Sequence, residues 1–186
     1  MTAGDILKEL EALGDAKIKE MLMRNHGVKE PCFGVKIGDM KPLQKRIKKD
    51  YRLALDLFES GNYDAMYFAG LIADDAQMTE RDLRRWVETA YSGLCGSTVP
   101  WVAAGGAHGW GLGLEWTGSA VDHIAAAGWA TLSCVVALKD DGDLDLPPEL
   151  FELIHRGGTL EVAGDECGAL SFPPQEQREF RGCRRL

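Results

Sequence analysis

The stretch LALDLFESGNYDAMYFAGLIADDAQMTERDLRRWVETA, residues 53–90, decides the fold. Leu53, Ala54, Leu57 and Phe58 recur at helical spacing until Ser60 and Gly61 end the segment. Ala65, Met66, Phe68, Ala69, Leu71, Ile72 and Ala73 are then apolar almost all round, the pattern of a helix covered on every side. Thr79 followed three residues later by Asp82 is a capping-box signal. Behind it Leu83, Trp86, Val87, Ala90 and Leu94 face inward, while Arg81, Arg84, Arg85 and Glu88 face out. An amphipathic helix, an apolar one and a second amphipathic one thus follow each other through short connections.

The same grammar extends in both directions. Toward the N-terminus, Thr2 and Asp5 form another capping box ahead of Ile6, Leu7, Leu10 and Leu13, and Gly14 breaks that helix. Ile18, Met21 and Leu22 mark a second run, closed by Asn25, His26 and Gly27, where glycine supplies the left-handed C-terminal conformation. Residues 28–38 read as a loop. Asp39 caps a basic helix with Pro42 in its first turn and Leu43 and Ile47 inward, and the helical pattern continues through Leu53 to Phe58. Toward the C-terminus, helices are expected over residues 98–116 and 119–139. The first carries Gly105, Gly106, Gly109, Gly111 and Gly113, each costing about 1 kcal/mol against Ala in a helix, which points to close helix packing or backbone approach to a ligand.

No segment alternates with period 2, so the chain is all-α. Outer and inner helices recurring at roughly 35–45 residues indicate a HEAT- or armadillo-like α-solenoid, an α-α superhelix, rather than a four-helix bundle. Residues 1–155 are expected to form this repeat domain. After Pro147 and Pro148 one short helix holds Leu150, Phe151, Leu153 and Ile154; residues 156–186 lose all periodicity and are expected to be an irregular or disordered tail.

The chain has 186 residues, 45% of them hydrophobic, enough for a real core. It lacks an apolar run of the ~20 residues that a spanning helix needs, and MTAGDILKELEALGD is acidic where a signal peptide would be basic. A cytoplasmic protein that does not engage membranes is expected. Cys32, Cys95, Cys134, Cys167 and Cys183 are odd in number and widely spaced, which fits reduced thiols rather than a disulfide framework or a zinc knuckle.

Net charge is −8, from 21 Lys+Arg against 29 Asp+Glu, yet it is unevenly spread. Residues 1–50 hold 11 basic and 8 acidic side chains, residues 51–150 hold 5 and 15, and residues 151–186 hold 5 and 6. Lys41, Lys45, Arg46, Lys48 and Lys49 form the one concentrated basic patch, either a phosphate contact or a solvated helix face.

Candidate chemistry begins with the indoles. Trp86, Trp101, Trp110, Trp116 and Trp129 are either core or stacking surfaces for a base or a cation, and Trp101 and Trp110, in the glycine-rich region, are placed nearest a cleft. Asp141, Asp143, Asp145 and Glu152 have the spacing of a calcium loop, but Leu146 stands where that loop needs glycine, and Asp145 reads instead as a helix cap. His26, His108, His123 and His155 give no paired metal ligands. The glycines from Gly109 follow no strand and make no dinucleotide loop, and no serine nucleophile elbow occurs.

RNHGVKEPCFGVKIGDMKPLQKRIKKD (24–50) and LALDLFESGNYDAMYFAGLIADD (53–75) resemble the DNA alkylation repair family of HEAT-like-repeat DNA glycosylases. The likeness runs on through TVPWVAA (98–104), GLEWTGS (113–119) and AAGWATLSCVVAL (126–138). The resemblance implies a curved solenoid with a DNA-sized groove, removal of N-alkylated, cationic purines by breaking the glycosidic bond, alkylated duplex DNA as partner, and no metal or cofactor. A carboxylate beside the sugar and aromatic faces beside the lesion would supply the chemistry.

The sequence departs from that pattern at two places. Active members place an Asp about one turn after an aromatic residue in the central inner helix, whereas Trp101 is followed by Gly105, with no acid between Ser97 and Glu115. The Trp129 segment also lacks the expected basic residue. The tail supplies none of the further helices, as a truncated or frame-shifted C-terminus would. Two readings follow. In the first, a DNA glycosylase uses Trp101, Trp110 and Trp129 at the lesion, Lys45, Arg46, Lys48 and Lys49 on phosphate, and Glu115 or Asp122 as substitute carboxylate. In the second, a catalytically inactive solenoid binds DNA or a protein partner.

Overall fold

The computed structural model describes residues 1–91 and 93–138, all within the unit Met1–Asp143. The expected domain boundary after residue 155, the short helix after Pro148, the tail and the rejected calcium segment lie outside the described residues.

Helix α1 (Ala3–Ala12) starts with the predicted capping box: Thr2 Oγ1 accepts the Asp5 N–H at 3.2 Å and the Asp5 carboxylate accepts the Thr2 N–H at 2.9 Å. Ile6 and Leu10 are buried, but Leu13 lies in the C-cap and is exposed, because the helix ends before its next turn reaches the core. Helix α2 (Ala16–His26) is capped by Asp15 and closed by Gly27 at φ +61°. Ile18, Met21 and Leu22 are only half-buried, so this helix lies loosely on the fold.

Helix α3 (Ile37–Ile47), with Lys36 at its N-cap in place of Asp39, begins three residues earlier than its sequence suggests. Asp39 therefore sits in the first turn instead of capping it, and Pro42 falls inside the helix, where the Gly38 carbonyl loses its donor. Lys48, at φ +64°, ends α3 and separates it from α4 (Tyr51–Glu59), where the sequence reads as continuous. Asp50 then caps α4 by accepting the Leu53 N–H at 3.0 Å.

Helix α4 and helix α5 (Tyr63–Ile72) form a hairpin across Ser60, Gly61 and Asn62. Leu53, Ala54, Leu57 and Phe58 are the buried face of α4, as the spacing predicts, and α5 buries Ala65, Met66, Phe68, Ala69 and Ile72. Helix α6 (Glu80–Thr89) keeps its predicted capping box and buries Leu83, Trp86 and Val87. Trp86 stacks on Phe58 with ring centroids 4.1 Å apart and 6° between planes, locking α6 onto α4.

The expected helix over 98–116 is two helices. A π-helical turn (Leu94–Thr98) leads into α7 (Val99–Gly105), the chain breaks at Gly106, and α8 (Gly109–Thr117) runs back before α9 (Asp122–Leu138). Close approach requires glycine at the break: a Cβ at Gly106 would lie 2.5 Å from the Asp75 carbonyl oxygen. Close packing likewise explains Gly128, where a Cβ would come within 2.5 Å of the Thr117 nitrogen, so α8 and α9 meet backbone to backbone.

The pairs α4/α5, α6/α7 and α8/α9 stack so that their second members, α5, α7 and α9, touch one another in turn. That repetition makes the described residues an all-α, HEAT-like helical-repeat fold. None of the described helices is long and apolar enough to cross a membrane.

Candidate nucleic-acid interface

The loop that precedes α3 is held by a buried carboxylate. Asp64, 1% exposed in the first turn of α5, accepts backbone N–H groups from Phe33 (2.6 Å), Gly34 (3.1 Å) and Val35 (2.8 Å). Gly34 needs its residue type twice over, since it sits at φ +80° and a Cβ would lie 2.5 Å from the Asp15 carbonyl oxygen. On the other side of the loop Glu30 pairs with Lys19 at 2.5 Å and accepts the Cys32 N–H at 3.1 Å. Tyr91 donates to the Lys29 carbonyl at 3.1 Å, and Tyr63 donates its N–H to the Pro31 carbonyl at 3.0 Å. The basic helix α3 thus leaves a fixed loop in a fixed direction.

Helix α3 ends against the end of α5. The Gln44 amide donates to the Leu71 carbonyl at 3.1 Å and the Asp50 N–H to the Ile72 carbonyl at 2.8 Å, satisfying two of the carbonyls that a helix C-terminus leaves open. All four of Lys45, Arg46, Lys48 and Lys49 are exposed there. They are not equivalent. Arg46 gives Nη2 to both oxygens of Glu9, at 2.7 and 2.8 Å, and Lys49 pairs with Asp75. Lys45 and Lys48 have no ion pair among the described residues.

The five indoles divide cleanly. Trp86 and Trp116 are core residues. Trp101 on α7, Trp110 at the start of α8 and Trp129 on α9 are half-buried.

Of the two expected carboxylates, Glu115 is on α8 and turns to the amphipathic helix α6, where the Arg84 guanidinium grips both its oxygens, one at 2.8 Å. Arg84 also reaches Glu80 at 3.5 Å. Glu115 remains 54% exposed, and the hydrogen-bonded guanidinium holds its carboxyl below the ordinary value. Asp122 opens α9 and is exposed.

Sequence reasoning missed two other acids. Asp64 announces itself only as a carboxylate in an otherwise apolar helix. Asp75 lies in the turn after α5, 22% exposed, and reaches both Lys49 and α7: a Cβ at Gly105 would overlap its carboxylate. Separation of 30 positions between Asp75 and Gly105 hides that contact from any local pattern.

Stacked helix pairs, with a buried carboxylate clamp ahead of a basic helix end, define a HEAT-like repeat protein. The chain belongs to the family described as DNA alkylation repair enzyme, which it matches over residues 6–92. It is similar to a solved structure from a family described as related to the HEAT-like repeat DNA glycosylases with affinity for branched DNA structures. That likeness has a TM-score of 0.79 and 34% identity, and covers 84% of this chain and 66% of the other. Uncharacterized proteins of Listeria innocua and Listeria monocytogenes are each 34% identical over 82 residues, 42% of this chain. The matched region spans 36% of the length of those curated relatives.

Proposed function

We propose that the protein binds DNA, engaging the phosphate backbone with the end of α3 and presenting Trp101, Trp110 and Trp129 to an alkylated, cationic purine in a duplex. One observation carries the reading: Lys45 and Lys48 are exposed, without ion pairs among the described residues, at the end of a helix whose entry and exit are both pinned. Cations carried on a pinned helix lose little backbone freedom on meeting phosphate, and an indole face attracts a cationic base. The solved relative's affinity for branched DNA supports the same reading. Excision of the base is the finer form of the proposal, in a cytoplasmic compartment that keeps the thiols reduced.

The second reading, a solenoid that binds DNA or a protein partner without catalysis, is favoured by one feature: Glu115 already has a guanidinium on both oxygens.

Binding is tested by titrating the full chain into a duplex with one N3-methyladenine, the same duplex undamaged, and a four-way junction, at two salt concentrations. Each phosphate contact contributes a slope of about 0.9 in log affinity against log salt, so Lys45→Ala with Lys48→Ala should lower the slope by about 2. No binding to any of the three substrates would reject the reading, and an unchanged slope would leave the patch as a solvated face.

A further inference from the structure

Helix α3 carries an isoleucine that the fold does not use. Ile37, the first residue of α3, is 49% exposed, whereas Met40 and Leu43 on the same helix are buried and Ile47 is half-buried. One open isoleucine is ordinary on a protein surface. The surroundings of this one are not.

Its position is fixed from both sides. Val35, two residues earlier, is buried and gives its N–H to the Asp64 carboxylate at 2.8 Å, and Gln44 and Asp50 fasten the other end of α3 to carbonyls of α5. The backbone beside it is bare, since a Cβ at Gly38 would meet no atom within 4 Å. Cations surround it. Lys41 and Lys45 follow at i+4 and i+8, on the stripe that Ile37 begins, and Lys36 precedes it, all of them exposed. Asp39, the acid of the first turn, is two positions on and faces away from that stripe. Asp15, whose carboxylate feels the Lys36 charge, is committed to the N–H groups of Lys17 at 2.8 Å and Ile18 at 3.3 Å.

An apolar tip ringed by ammonium groups fits a polyanion that also shows an apolar face. Protein interfaces, by contrast, are depleted in lysine. Along a linear duplex each base-pair face is covered by the next, so an apolar side chain gains contact only by unstacking a step. At a branch point the stack is interrupted, and the last pair of an arm presents its face beside its phosphates. Resting on the DNA-binding reading above, we propose that Ile37 is a branch-point contact: its side chain covers the open face of the last base pair of an arm, while Lys36, Lys41 and Lys45 hold the flanking phosphates. Gly38 lets the backbone of α3 come close to the pair. The clamped loop matters because a mobile tip would lose in ordering what it gains in contact. Linear DNA meets only the cations, so a junction binds more tightly than a duplex of the same sequence.

The test compares the full chain with Ile37→Ala and Ile37→Leu on two DNAs, a three-way junction and a linear duplex of the same arm sequence, with every end closed by a hairpin loop so that open faces occur only at the branch. The wild type should prefer the junction, and Ile37→Leu should keep that preference. Ile37→Ala should bind the junction about fivefold more weakly, the worth of burying about half an isoleucine side chain, with its duplex affinity unchanged. The slope of log affinity against log salt should be the same in all three proteins, because no phosphate contact is lost. Thermal melting should show them equally stable, since the residue is exposed. Full junction preference in Ile37→Ala overturns the proposal, as does an equal loss on both DNAs or a preference lost in Ile37→Leu as well. A wild type that binds both DNAs alike also overturns it and leaves DNA binding standing, whereas binding to neither rejects both readings. A wild-type dimer in sedimentation that Ile37→Ala dissociates would assign the isoleucine to a second copy of the chain and overturn the proposal.

Discussion

The carboxylate of Asp64 accepts the backbone N–H of Val35 at 2.8 Å, joining the first turn of α5 to a residue 29 positions earlier in the chain. With the bonds from Phe33 and Gly34 it forms a three-donor clamp that sets where α3 begins. Asp64→Ala leaves buried N–H groups unpaired, each costing about 1–3 kcal/mol. We therefore expect a loss of about 3 kcal/mol or more in denaturant unfolding, and a weaker, less salt-dependent affinity for DNA as α3 loses its fixed direction. Asp64→Asn, which keeps an acceptor oxygen but brings an amide donor toward three N–H groups, should recover only part of the stability.

Glu9 holds Arg46 by two short contacts on an exposed surface, so the pair itself adds about 0–1 kcal/mol to stability. Its larger effect is on charge available to a polyanion. Glu9→Gln should leave the melting temperature nearly unchanged while raising DNA affinity and steepening the salt slope by about 1, as one more cation becomes free. A titration at two salt concentrations reads both quantities.

Asp82 gives a pH dependence of known sign. Partial burial pushes its carboxyl up, but hydrogen bonds from Thr79 and Tyr51 outweigh this and bring it below the ordinary value. A carboxyl lowered on folding stabilises the fold above the unfolded-state pKa, and that contribution fades as pH falls through the lower folded value. Asp82→Asn should therefore be destabilised at pH 7, by a margin that narrows at pH 3. Thr79→Ala removes the cap directly and should cost about 1 kcal/mol. Urea unfolding of the three proteins at both pH values checks the sign.

The three cysteines among the described residues are sheltered rather than reactive. Burial, reinforced by the charge of Asp64, pushes the Cys32 thiol up to about 12, and burial alone pushes Cys95 to about 12 and Cys134 to about 11. Thiolate is the reacting species, so at pH 8 these three thiols should be alkylated far more slowly in the native protein than in urea. Peptide mass mapping after a brief iodoacetamide pulse distinguishes them, and rapid native labelling of Cys95 would contradict its buried position.

Helix content was legible in the residues themselves because it rests on local physics. The Thr2 and Thr79 capping boxes, the buried face of α4 and the apolar α5 all depend on neighbours within two turns, and the structure keeps them. Boundaries set by distant contacts were not legible. Helix α3 starts directly after a loop that Asp64 clamps, and the 98–116 region breaks at Gly106, where the Asp75 backbone approaches closely.

The candidate site divides the same way. The sequence located the basic cluster, marked Trp86 as inward by its spacing and set Trp101 and Trp110 nearest a cleft by their glycine-rich surroundings, but nothing local marked Trp116 as core. Tertiary structure sent Trp86 and Trp116 to the core and paired Arg46 and Lys49 with Glu9 and Asp75. It also turned Glu115 toward Arg84 and set Asp75 over Gly105. The sequence by itself determined an all-α repeat fold, because helical periodicity and capping are short-range. Which charges stay available to DNA was decided only by tertiary structure, because an ion pair depends on distance in space and carries no signature along the chain.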